Sequence, residues 1–201
     1  MQSLLPYLDW RQPVLDWLTE NVPPKRLIHI LGVEKTAIAL AERYGADPQR
    51  AAQAGLFHDL AKYFGATRLL QEAQRLGIAI DPIQLQSPHL LHAEVSAMLA
   101  KELFDECDPS VLGAIANHTL GNADLDLLSQ ILYVADWIEP SRHGEDVEKV
   151  RRAEAHSLLE AVLAGADQTI LELVTARRAI HPRTLLTRNW ALATLATKES
   201  T

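Results

Sequence analysis

The sequence predicts an all-α protein, and three observations carry the prediction. Alanine and leucine dominate a chain of 201 residues in which aromatic residues make up only 5%. The β-branched residues are scattered and do not alternate with polar ones as a half-buried strand requires. Asp47-Pro48, Asp81-Pro82 and Asp108-Pro109 each offer a side-chain N-cap followed by a proline that suits the first helical position.

Each element follows from local signals. Residues 1–24 mix apolar anchors (Leu4, Leu5, Tyr7, Leu8, Trp10, Val14, Leu15, Trp17, Leu18) with Pro6, Pro13 and the pair Pro23-Pro24, and read as one or two short helices ended by proline. From Lys25 to Tyr44 the residues Leu27, Ile28, Leu31, Ile38, Leu40 and Ala41 recur near the helical period, and Gly45 supplies the C-terminal cap. His29 therefore falls early on a long helix. Asp47-Pro48 opens the next helix, expected to run on through Leu56–Phe64, the segment LFHDLAKYF. Further helices are expected around 66–76, ended by Gly77, and around 89–104, 109–118, 125–139, 146–164, 166–179 and 182–197. Connections are short, and no repeat or composition break marks a second domain.

The formal net charge of −7 excludes the basic face that duplex nucleic acid demands. Local cations can still hold a phosphate-bearing small molecule. Cys107 is the single cysteine, so neither an internal disulfide nor a zinc knuckle can form, and a reducing cytoplasm is the expected location. No apolar run approaches the roughly 18–20 residues of a spanning helix, and the opening QSLLPYLDWRQP lacks the basic-then-apolar order of a signal peptide, so no membrane association is expected.

LFHDLAKYF lodges His58, Asp59 and Lys62 in an apolar run. Burying an ionised carboxylate beside an imidazole costs several kcal/mol, as an order of magnitude, unless each finds a partner, a charge or a metal. The segment is either a solvated face or a site. On one helix His58 and Asp59 would diverge by about 100°, which suits an ion held from the flank, and Lys62 would project from the His58 face one turn on. A cation beside a metal implies an anion between them, and phosphate fits. His29 in RLIHILGV, His92 in HLLHAEVSA, His118 in AIANHTLGN, His181 in AIHPRTLLTRNW and Asp136 in ILYVADWIEPSR stand in comparably apolar settings. A lone histidine on an apolar helix is usually a satisfied core residue, and a lone aspartate can lie on a narrow polar stripe. Six such residues finding six separate partners is another matter. Imidazole with carboxylate and almost no thiolate suits divalent iron, manganese, zinc or a similar ion.

The order His29, His58-Asp59, Asp136 resembles the HD domain superfamily of metal-dependent phosphohydrolases. The blocks RLIHILGV, GLFHDLAKYF, LLHAEVSAMLA, ANHTLGN, LYVADWIEPSR and HPRTLLTRNW resemble, in order and over about residues 25–190, the bacterial YqeK family of symmetrical bis(5'-nucleosyl)-tetraphosphatases. The resemblance implies an all-helical HD-domain bundle over 25–201 with an N-terminal helical extension over 1–24. It implies hydrolysis of diadenosine tetraphosphate to two ADP with one or two divalent ions, iron first, with manganese, cobalt, magnesium or zinc as alternatives. His29, His58, Asp59 and Asp136 match the metal ligands. His92 and His118 match residues that face the phosphates, complete a second metal site or protonate the leaving group, which with Asp59 makes the catalytic set. Arg26, Lys62, Thr119 and Arg142 match positions that hold ADP along with Asp59, His92 and His118, and Ala179, Ile180, His181, Pro182, Arg183 and Thr184 match a nucleotide-binding turn. The proline-broken start reads as a packing extension or a homodimer contact. The HD core alone is shared with enzymes acting on nucleoside monophosphates, deoxynucleoside triphosphates or guanosine alarmones, and a binding module without turnover would keep the same ligands. The AIHPRT and IEPSR blocks separate this family from those.

Overall fold

The computed structural model describes residues 5–199, with side chains from Trp10 to Thr197. The anchors Leu4, Leu5, Tyr7 and Leu8 and the proline Pro6 lie outside the described side chains. Eleven α-helices make up the described residues: α1 (Leu5–Asn21), α2 (Pro24–Tyr44), α3 (Pro48–Phe57), α4 (Ala66–Arg75), α5 (Pro82–Gln86), α6 (His92–Phe104), α7 (Pro109–Asn117), α8 (Leu127–Ile138), α9 (Glu145–His156), α10 (Leu158–Thr175) and α11 (Pro182–Glu199). The all-α expectation holds, with no strand among them.

All three Asp-Pro devices work as anticipated. Asp47, Asp81 and Asp108 each accept two backbone N–H bonds at the start of α3, α5 and α7, and loss of such a cap costs about 1 kcal/mol. Gly45 ends α2 in the left-handed region at φ 75°. One core runs through the molecule, built from Ile30, Val33, Leu56, Phe57, Leu91, Ile115, Ile131 and Leu132, with Val14, Leu18 and Val22 of the N-terminal segment in the same cluster. Each such side chain contributes about 1.5–3 kcal/mol by leaving water. No described helix is long and apolar enough to cross a membrane.

Four expectations need correction. α3 ends at Phe57, and His58–Tyr63 continue as successive turns, closed by bonds such as Lys62 N–H to the Asp59 carbonyl at 3.1 Å. The HD pair thus lies beyond the helix, because the His58 ring takes the Gly55 carbonyl at 2.7 Å, a backbone acceptor at the helix end. The helix expected from 89 begins as a 3₁₀ turn at Pro88–Leu91, and α6 starts at His92. The break expected near 165 falls at Ser157, whose hydroxyl accepts from Glu160 N–H at 3.1 Å and caps α10. Ile28, counted on the apolar face of α2, is 61% exposed, since the inward face is taken by His29, Val33, Ala37 and Leu40.

α2 and α3 pack so closely that a Cβ on Gly55 would stand 2.7 Å from Glu34 Cα. α8 lies across both, and α6 and α7 complete the wall that surrounds the polar centre.

Candidate active site

Five helices deliver side chains to one buried place. α2 brings Arg26 and His29, the turn after α3 brings His58, Asp59 and Lys62, the start of α6 brings His92, the end of α7 brings His118 and Thr119, and α8 brings Asp136. The imidazoles form a row, with ring centroids 5.5 Å apart for His29 and His58, 5.0 Å for His58 and His118, and 5.1 Å for His118 and His92.

The same local device sets three of these rings. His58 Nδ1 lies 2.7 Å from the Gly55 carbonyl, His92 Nδ1 2.6 Å from that of His89, and His118 Nδ1 2.7 Å from that of Ile115. A carbonyl only accepts, so each Nδ1–H donates to the residue three positions back and each Nε2 turns its lone pair to the centre. His29 does the same with a side chain, donating Nδ1–H to Glu139 Oε1 at 2.9 Å. Glu139 is fully buried and held by Ser141, whose N–H and hydroxyl both donate to it, at 2.7 and 2.5 Å. The sequence reading missed Glu139, although an acidic residue just after Asp136, at the residue that ends α8 in an otherwise apolar segment, is a signal that could have found it.

Asp59 occupies the middle of the row. Its Oδ2 lies 2.9 Å from Arg26 Nη1, 3.3 Å from His58 Nε2 and 3.9 Å from His29 Nε2. Its Oδ1 faces His92 Nε2 at 3.4 Å and His118 Nε2 at 3.8 Å. Asp136 Oδ1 lies 3.0 Å from His29 Nε2 and takes Arg142 Nη2 at 2.7 Å. Two triads, His29 with His58 and Asp136, and His58 with Asp59 and His118, each offer ligand atoms within 4.8 Å of one another. His29 Nε2, His58 Nε2 and Asp59 Oδ1 are buried without a hydrogen-bond partner. Unsatisfied atoms of this kind cost about 1–3 kcal/mol each, and lone-pair donors gathered in two triads that share His58 are what divalent cations satisfy. The donor set fits such an ion.

Burial works to raise the Asp59 carboxyl, but His58 and His92 overcome it and hold it well below the usual carboxylate range. Asp136 is likewise pushed up by burial and held well below by Arg142, His29 and His58. For His118, burial comes first and the field of His58 and His92 second, and both keep the ring neutral. At the far end of the row Lys62 Nζ lies 3.2 Å from His92 Nε2, and Thr119 Oγ1 lies 3.0 Å from His118 Nε2. One donated proton to each nitrogen satisfies both.

The segment 179–184 divides. Ala179, His181 and Thr184 line a cavity of about 130 Å³ together with Thr119, Leu90 and Leu173. His181 is fixed there by Asp81, 2.5 Å from its Nε2. Ile180 is half-buried, and Pro182 is the exposed first residue of α11. Arg183 turns elsewhere, its guanidinium donating to the Gly121 and Ala116 carbonyls, Glu94 and Asn117 Oδ1 at 2.8–3.2 Å. A second cavity, of about 320 Å³, borders the His29 end and is lined by Lys25, Arg26, Tyr63, Ser141 and Arg142.

An all-helical frame around histidines and aspartates in this arrangement defines the HD class of phosphohydrolases, and the sequence model of the HD domain family matches residues 26–141. The symmetrical bis(5'-nucleosyl)-tetraphosphatase of Bacillus subtilis is 34% identical over 91% of this chain and 98% of its own. The protein of the same description from Halalkalibacterium halodurans is 36% identical over 90% of this chain and 97% of its own. A crystal structure of a Clostridium acetobutylicum protein, described as a predicted HD superfamily hydrolase involved in NAD metabolism, superposes with a TM-score of 0.87 at 34% identity, covering 90% of this chain and 96% of that one. The chain belongs to the HD domain family, in its branch of symmetrical bis(5'-nucleosyl)-tetraphosphatases.

Proposed function

We propose that this chain hydrolyses diadenosine tetraphosphate at its central anhydride, releasing two ADP. One observation carries the reading: unpartnered His29 Nε2, His58 Nε2 and Asp59 Oδ1 belong to two ligand triads that share His58, beside Arg26, Lys62 and Arg142, which are the cations a polyphosphate requires. The names of the relatives at 34–36% identity supply the substrate class.

His29, His58, Asp59 and Asp136 would hold a divalent ion, iron on the strength of the family, and His92 and His118 would take part in a second site or face the phosphates. Such an ion acidifies water from a pKa of about 16 toward neutrality and polarises phosphoryl oxygens. Arg26 and Arg142 orient the chain of phosphates, arginine's fork suiting two oxygens at once, and Lys62 makes a point contact. Lys62 lies within hydrogen-bond distance of His92 Nε2, and that same nitrogen, once protonated, would give its proton to the leaving diphosphate, with Nδ1–H held on the His89 carbonyl. Thr119 orients His118, and Ala179, Ile180, His181, Pro182 and Thr184 form or support the nucleotide turn. Arg183 supports it from behind by holding the loop that carries His118. The working unit is residues 25–201 with 1–24 as an extension packed on it, acting in the cytoplasm on a small molecule, with a homodimer contact assigned to the extension.

Incubating metal-loaded protein with diadenosine tetraphosphate should yield ADP as sole product. Asp59→Ala should lower turnover by at least about a hundredfold and reduce bound metal together with it. Formation of AMP and ATP, or an active Asp59→Ala variant, would overturn the reading.

A further inference from the structure

A cut at the centre of four phosphates produces two identical halves, but the site that makes the cut is not symmetric. The row of imidazoles has two different ends. The His92 and His118 end opens through Thr119 to the smaller cavity, where Leu90, Leu120 and Leu173 stand with His89, Arg178 and His181. The His29 end opens to the larger cavity, which has Lys25, Tyr63 and Ser141 on its walls.

Ser141 is committed to Glu139 behind His29, while Lys25 and Tyr63 have no task in holding the metal or the first nucleotide. Lys25 is exposed and makes no hydrogen bond or ion pair, and it stands in the first turn of α2, whose N-terminus no side chain caps. Arg26 and Arg142 are tied to Asp59 and Asp136, so Lys25 is the uncommitted cation of this wall. Arg142 Nε is also buried with no acceptor, a donor left over at the same cavity. Tyr63 is 51% exposed, with the Arg26 guanidinium 5.9 Å from its ring centroid. A half-exposed aromatic ring next to surplus positive charge is a stacking platform beside an anion site.

We infer that the cavity of Lys25, Tyr63, Ser141 and Arg142 is the subsite of the second nucleoside diphosphate, with Tyr63 stacking on its base and Lys25 and Arg142 Nε meeting its phosphates. The inference rests on the tetraphosphatase reading for the identity of the ligand. It makes Tyr63 a specificity residue for substrates that carry a nucleoside at both ends.

Titration of the metal-loaded protein with ADP is expected to show two sites per chain of unequal affinity, and Tyr63→Ala to weaken one of them by about fivefold or more and leave the other unchanged. In turnover, Tyr63→Ala should raise KM for diadenosine tetraphosphate by a similar factor while KM for adenosine 5'-tetraphosphate, which has one nucleoside, stays put. A single ADP site in the parent protein, equal weakening of both sites, or equal change in both KM values would overturn the assignment. Lys25→Ala, a change at an exposed side chain, should weaken the same ADP site as Tyr63→Ala, and weakening of the other site counts against it. If the parent protein releases no ADP from the dinucleotide, the proposed reaction fails, while the ADP titration still decides the subsite.

Discussion

Glu139 shows how much a single buried residue does at this centre. Its carboxylate holds His29 in the tautomer that aims Nε2 inward, and it is itself held by two donors from Ser141. Burial works to raise its carboxyl, and the bonds from Ser141 and His29 bring it below the usual range, so it stays an acceptor. Gly32 completes the arrangement, because a Cβ there would stand 2.5 Å from Glu139 Oε2. Glu139→Gln should weaken metal binding by about 10–100-fold, as the loss of partners behind metal-ligating histidines does. Competition with a chelator of known affinity measures it, and an unchanged affinity would show that His29 is oriented by other means.

At the scale of elements, histidines gather where helices begin and end. His58 follows the last residue of α3 and His118 that of α7, while His92 starts α6 after a 3₁₀ turn. Each ring takes the carbonyl three residues back, at His89 and Ile115 sharing it with its own backbone N–H, so no second side chain is needed. Turning the row into a site then depends on how near the helices approach. Gly55 sets the gap between α2 and α3, with Glu34 Cα only 2.7 Å from where a Cβ would be. Gly55→Ala must push the two helices apart, since the obstacle is backbone. Overpacking of this kind costs about 1–3 kcal/mol, which for a chain of this size lowers Tm by a few degrees per kcal/mol. His29 and His58 sit on either side of that gap, so metal affinity should fall together with Tm in a thermal melt and a metal titration of the same variant. A lower Tm with unaltered metal binding would disconnect the packing from the centre.

For the molecule as a whole, one buried phenol couples the core to pH. Burial, aided by the charges of Asp136 and Asp167, raises the Tyr133 hydroxyl from 10.0 to about 12, against hydrogen bonds with Thr169 and Trp137 that lower it. The folded state therefore keeps this proton when the unfolded chain has lost it. Stability from Tyr133 is complete below pH 10 and drains away as pH rises from about 10 to 12, by roughly 3 kcal/mol at about 1.4 kcal/mol per unit. Denaturant midpoints measured from pH 9 to 12 should fall less steeply for Tyr133→Phe than for the parent protein, and parallel curves would assign the alkaline loss to other groups.

The sequence by itself determined the helical class, most helix starts, and a set of polar residues lodged in apolar segments, all of which but His181, bound to Asp81, meet at the centre. Those follow from local causes: Asp-Pro caps, glycine stops, and polar groups whose burial has to be compensated. It misplaced the end of α3 and the break at Ser157, because a side chain competing for a backbone carbonyl leaves no period in the sequence, and a Ser-to-Glu cap inside an apolar run is easily overridden by that run. Only the tertiary structure decided that Glu139 backs His29, that Arg183 grips the 116–121 loop, and that the two ends of the imidazole row open into unlike cavities. Each of these joins residues far apart in the chain, and which lone pair faces which donor is settled by how closely helices pack.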